Sequence, residues 1–113
     1  MGTSPLIHHL ALASGWEKAQ AAGAYTVSTL GMALAEVGFI HCSRPEQVNG
    51  VHARFYGDVT EPVLLLTIDT DLLTAPWQYD DVPGEPLSFP HIYGPLNVNA
   101  VVSAEPFRPS AST

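Results

Sequence analysis

With 113 residues, nearly half of them apolar, the chain has the size and composition of one folded domain that buries a core without staples. Four basic against eleven acidic residues give a formal charge of −7, which sets aside duplex nucleic acid and anionic membrane surfaces as partners. A single cysteine excludes an internal disulfide and any multi-cysteine metal cluster, and no apolar run approaches a membrane span.

The N-terminus has no basic region followed by an apolar core, so no signal peptide is expected and the cytoplasm is the expected compartment. Residues 1–5 read as a loose lead-in. Leu6 to Leu12 is an apolar run broken by His8 and His9; as a strand, it sends those two side chains to opposite faces. Ser14-Gly15-Trp16-Glu17 has the spacing of a capping box, opening a helix to about Ala22 with Trp16, Ala19 and Gln20 on one stripe and Gly23 as its stop. Ala24 to Val27 is extended, and Ser28 is placed to cap a short helix through Met32 to Ala35, ending at Gly38.

Gly38-Phe39-Ile40-His41-Cys42-Ser43 is the stretch around which the chain is organised. Phe39 and Ile40 favour a strand, and Ser43 precedes Pro45 and Glu46 with the spacing of a helix cap. His41 and Cys42 then stand where a strand stops and a helix begins, a place where polar side chains face clefts. The following helix is expected from about Pro45 to Tyr56, with Val48, Val51, His52 and Phe55 as its buried stripe. Pro62 to Asp69 reads as a central strand covered on both faces. Trp77 to Asp81 is a shorter strand, residues 82–90 a Pro/Gly-rich loop, and Asn99 to Glu105 a last strand before a loose tail after Pro109. The whole is one α+β domain over residues 1–113, ordered from about 6 to 107, with helices dominating the first half and strands the second.

Candidate chemistry centres on His9, His41 and His91, each beside an apolar segment. A lone histidine there is structural by default; three of them with Asp80 or Asp81 nearby point to a cleft. Asp80 is a candidate base or ribose-orienting group, and Ser43, Tyr25 and Tyr93 are candidate ligand contacts beside the packing roles usual for such residues. Metal-ligand spacings of the H-x-H, H-E-x-x-H or C-x-x-C kind are absent, so no metal is assigned. Cys42 at a helix start invites a nucleophile reading, but a strand turns His41 and Cys42 to opposite faces and makes Cys42 a core residue. Glycine-rich phosphate loops and nucleophile elbows are likewise missing.

Ile7-His8-His9-Leu10, Gly38 to Ser43, Tyr79-Asp80 and Phe89 to Pro95 match the marks of a known family. Those marks are a histidine-bearing first strand, a GFIHxS segment, an acid after an aromatic strand and an FPHxYGP segment. The chain resembles the domain of unknown function 952 family of small bacterial proteins, from about residue 6 to 107. That resemblance implies an ADP-ribosyltransferase-like fold, with about three short helices and a mostly antiparallel sheet split into halves around an NAD cleft. By position it implies His9 at the adenosine-side ribose, His41 beside the nicotinamide, Asp80 supporting the attacked ribose and His91 lining the cleft. Asp80 stands where the family more often has Glu. The shorter side chain asks for about 1.5 Å of adjustment, and a misplacement of that order can cost about a hundredfold in rate. His8 stands where an aromatic is common. The expected functions are NAD or nucleotide binding with ADP-ribosyl transfer or NAD cleavage, a non-catalytic small-ligand module, or a metal-dependent hydrolase built on His9, His41, His91 and Asp80.

Overall fold

In the computed structural model, which describes residues 5–29 and 32–108, the chain opens with strand β1 (Leu6–Leu12) and helix α1 (Ala13–Ala22). Strands β2 (Ala24–Tyr25), β3 (Val27–Thr29) and β4 (Met32–Ala33) precede helix α2 (Leu34–Val37) and strand β5 (Ile40–His41). A mixed helical stretch follows: a 3-10 turn at Pro45–Gln47, helix α3 (Val48–Val51) and a π turn at His52–Tyr56. The remaining strands are β6 (Val63–Asp69), β7 (Trp77–Asp80), β8 (Phe89–Ile92), β9 (Leu96–Asn97) and β10 (Val101–Pro106). Of the loose lead-in expected over residues 1–5, residues 1–4 lie outside the described residues, as does the tail expected after Pro109. No described helix is long and apolar enough to cross a membrane.

The architecture is α+β, with three α-helices and several antiparallel sheets among the described residues. One sheet has the order β1-β6-β10, another β5-β8-β7, and β2-β9 and β3-β4 are two-stranded ribbons. The two larger sheets meet through one antiparallel bridge between His8 and Ser43, whose N–H groups each donate to the other's carbonyl at 2.9 and 2.7 Å. The stretch from Ile40 to Ser43 thus touches both sheets, since Cys42 N–H also donates to the Pro90 carbonyl at 2.9 Å.

Strand periodicity explains the packing. Ile7 of β1 lies opposite Ile68 of β6, and both belong to the main core with Ala11, Leu66, Ile40 and Ile92. The alternate residues Leu10 and Val63 face a second cluster with Val48 and Tyr56. β6 is therefore central and covered on both faces, as its unbroken apolar run predicts. Each fully buried Leu or Ile contributes about 1.5–3 kcal/mol of burial free energy.

Several local expectations are corrected. Helix α1 takes its cap from a distance: the Glu61 carboxylate accepts from the Ser14 backbone N–H at 3.1 Å and from its hydroxyl at 2.7 Å, in place of a local box with Glu17. Trp16 and Ala19 are buried, but Gln20 is exposed. Ser28 caps no helix; it lies in β3, is 1% exposed, and accepts from the His41 N–H at 3.2 Å. The helix it was expected to open is only Leu34–Val37, closed at Gly38 with φ of 96°, a left-handed conformation natural to glycine. The cap before Pro45 is Arg44 rather than Ser43, and the Gln47 side chain accepts from the Arg44 N–H at 2.8 Å. In the π turn the wider spacing moves the stripe on by one residue, so Tyr56 is buried while Phe55 is 39% exposed. Strands β2 to β5 also share the first half with the helices, because pieces of two or three residues are too short to leave a periodic signal.

Candidate functional site

β5 and β8 pair so that Ile40 faces Ile92 and His41 faces His91. The isoleucines are fully buried in the main core, and the period of two turns both histidines to the other face of the sheet. β7 pairs with β8 so that Gln78 lies opposite His91 and Asp80 opposite Phe89, putting those polar side chains on the histidine face. Pleating and register alone thus assemble His41, His91 and Asp80.

Their hydrogen bonds form a chain. Asp80 Oδ2 lies 2.8 Å from His91 Nδ1, and His91 Nε2 lies 3.1 Å from His41 Nδ1. With Asp80 ionised, hydrogen-bond logic assigns the protons: His91 donates through Nδ1 to the carboxylate, its Nε2 accepts from His41 Nδ1–H, and His41 Nε2 carries a lone pair. Asp80 is further tied to the hydroxyl of Tyr93 and the amide of Gln78. Those bonds, Tyr93 first and Gln78 next, with a smaller contribution from His91, hold its carboxyl below the usual carboxylate range. The bond to Asp80 in turn raises the Tyr93 phenol. Phe39 stacks on the His91 ring with centroids 3.9 Å apart and planes 14° apart, while Phe89 tilts against His41 at 4.8 Å. Burial chiefly, with the neighbouring His91 and His9 after it, lowers His41 to a pKa of about 4, so the ring is neutral at physiological pH.

A cleft of about 650 Å³ opens on this face. His41, Phe89 and His91 of the sheet line it, with Phe39 from just before β5. The irregular helical stretch contributes Glu46, Val51, Arg54 and Phe55, and the loop after β7 contributes Val82, Glu85 and Leu87. Arg54 and Glu85, on these two sides, form an ion pair at 3.2 Å. This size and an apolar lining with a few convergent polar atoms fit a small-molecule site.

The expected site residues divide. His41 and His91 line the cleft, and Asp80 and Tyr93 stand outside its lining, reaching it through His91. His9 lies elsewhere: it is 3% exposed on the core side, its Nδ1 donates to the His41 carbonyl at 2.7 Å, and its Nε2 is 3.2 Å from the Tyr25 hydroxyl. Burial lowers it to a pKa of about 4 against the raising effect of the carbonyl. Tyr25 is buried beneath it and Ser43 serves the bridge to His8, so neither lines the cleft. Turned inward on its strand and bonded to the His41 carbonyl, His9 does not line the cleft. Cys42 is fully buried and burial pushes its thiol up, which leaves no thiolate for attack. Among the described residues no three histidine, cysteine or acidic side chains come together in a way that could hold a metal, and His9 and His91 have both ring nitrogens engaged. Sequence gives no site role to Arg54 and Glu85, since a charge on a short helix or loop reads as a solvated surface, and marks Glu46 only as part of a helix cap.

Comparison with known proteins adds a family and a fold. The model of the family described as "Protein of unknown function (DUF952)" matches residues 10–104. The crystal structure of protein CC0527 from Caulobacter crescentus is similar at 26% identity and a TM-score of 0.79, covering 94% of this chain and 89% of that one. The solution structure of CC0527 is similar at 27% identity and a TM-score of 0.72, covering 94% and 87%. No curated protein matches the chain.

Proposed function

The chain belongs to the DUF952 family of proteins of unknown function, and we propose that its cleft binds a small molecule whose N–H or O–H donates to Nε2 of His41. The chain of hydrogen bonds from Asp80 through His91 to His41 carries this reading, because it engages the far nitrogen of His41 and leaves the near one as an acceptor beside an apolar cleft. The low pKa of His41 keeps that nitrogen unprotonated, and Phe39 and Phe89 add aromatic lining against which a planar ligand packs.

The ADP-ribosyltransferase-like grouping and an NAD-type ligand are the specific form of this proposal that the family resemblance implies. In that form His41 meets the nicotinamide end, and Asp80 works through His91 instead of touching the ribose. His9 has no part in it. A thermal-shift titration with NAD, nicotinamide and ADP-ribose, run beside His41→Ala, tests it. A ligand at a hundred times its Kd adds about 2.7 kcal/mol, which is several degrees for a domain of this size. A shift with NAD that disappears in the variant supports the nucleotide form; no shift, with the variant folded, removes it and leaves the cleft to another ligand.

Proton transfer is the second reading, favoured by the carboxylate at the far end of the chain. A proton taken by His41 Nε2 is stabilised along the two histidines by Asp80. Release of nicotinamide from NAD by the wild type, lost in His41→Ala, supports turnover. Binding without release leaves a non-catalytic module.

A further inference from the structure

We propose that the ligand of this cleft is an organic cation, a primary or secondary ammonium on an apolar, ring-bearing body. The inference rests on the reading of the cleft as a small-molecule site and adds the charge of what enters it. Two carboxylates, Glu46 and Glu85, line the cleft against one guanidinium, Arg54, and that guanidinium is already paired with Glu85 at 3.2 Å. His41 adds no positive charge, because burial keeps it neutral. Behind it, the ionised Asp80 carboxylate, bound to His91 in the tautomer assigned above, adds a further negative charge beside the cleft. The lining with its backing is therefore net negative. The chain as a whole is acidic as well, with a formal charge of −7, so the long-range field reinforces the local one instead of opposing it.

The remaining lining suits the body of such a ligand. Among the lining aromatics Phe55, 39% exposed, has the open ring, and the Arg54 guanidinium stands 5.9 Å from its centroid, whereas Phe39 is stacked on His91 and Phe89 is buried. The Nε2 lone pair of His41 accepts from an ammonium N–H and has nothing to donate to a carboxylate or phosphate in that tautomer. A diphosphate would meet two carboxylates and only one paired guanidinium, so this inference rests on the small-molecule cleft alone and excludes its NAD form.

Three ligands that share the indole ring test the charge separately from the ring: tryptamine, tryptophol and indole-3-propionate, titrated by calorimetry and by amide chemical shifts. Tryptamine is expected to bind about tenfold tighter than tryptophol, the scale of one charge acting across roughly 10 Å of protein edge, with indole-3-propionate weakest. Glu46→Gln lowers the tryptamine-to-tryptophol ratio and Arg54→Gln raises it, and the ratio falls as salt rises from about 50 to about 500 mM. Tryptophol binding as well as tryptamine, or indole-3-propionate binding better, overturns the cation inference while leaving the cleft reading intact. Failure of all three to shift any cleft residue also overturns the cation inference, while the cleft reading is decided separately by the thermal-shift titration above.

Discussion

His41 and His91 face each other across the β5–β8 ladder, with Nδ1 of the first 3.1 Å from Nε2 of the second. Because Asp80 binds the other nitrogen of His91, one carboxylate sets the tautomers of two rings in series. The wild type should show, by nitrogen-15 NMR of labelled histidine near neutral pH, a protonated Nδ1 and a bare Nε2 on His41. Asp80→Asn removes the ionic anchor, so both rings should become tautomer mixtures and binding through His41 should weaken with little change in fold. A proton found on His41 Nε2 in the wild type would contradict the assignment.

The same burial makes stability depend on pH. His9 and His41 both fall from the ordinary 6.5 to about 4 in the folded protein. A histidine depressed on folding binds its proton more readily when unfolded. Its contribution is therefore complete above pH 6.5 and is lost as pH falls from there toward 4. Each depression corresponds to about 3 kcal/mol, and the two are not additive because the rings interact. Urea midpoints are expected to drop steeply between about pH 6.5 and 4.5. His9→Gln should flatten that slope, and a wild-type profile level across the window would refute the account.

Tyr25→Phe separates the buried histidine from the cleft. It removes the hydroxyl 3.2 Å from His9 Nε2 and leaves that buried nitrogen without its partner. The cost is about 1–3 kcal/mol, read as a lower urea midpoint, while ligand affinity in the cleft stays within twofold or so of wild type. A large loss of affinity at unchanged stability would return Tyr25 to the site.

Cys42 should be inert to iodoacetamide in the native protein and react once it is unfolded. It is fully exposed only on unfolding, and its thiol is held up by burial. Rapid alkylation of the folded chain would revive the nucleophile reading.

What sequence showed and what it hid follow from the range of each signal. Period-two alternation placed His8 and His9 on opposite faces, and the unbroken run from Val63 made β6 central; both are local signals and both hold. His9 looked like a site residue because nothing local tells a histidine aimed at a cleft from one aimed at a carbonyl 32 residues away. Glu61 capping Ser14 is equally nonlocal, separated by 47 residues, so the nearer Glu17 took its place in the expectation. The cleft walls at Arg54 and Glu85 depend on how a π turn and a loop meet, which no periodicity encodes.

The Gly94-Pro95 pair that ends the FPHxYGP segment illustrates a residue kept for space rather than chemistry. A Cβ built on Gly94 would stand 2.8 Å from the Ala75 Cβ, closer than side-chain carbons approach. Tyr93 N–H donates to the Pro76 carbonyl at 2.8 Å, so the two segments are pinned together and cannot simply part. Gly94→Ala is expected to destabilise by about 1–3 kcal/mol through overpacking, and to disturb the neighbouring Tyr93–Asp80 bond. Ala75→Gly in the same chain removes the opposing carbon and should restore much of the loss, a coupling that a double-mutant cycle of urea midpoints measures. Simple additivity of the two substitutions would mean that Gly94 is tolerated for another reason.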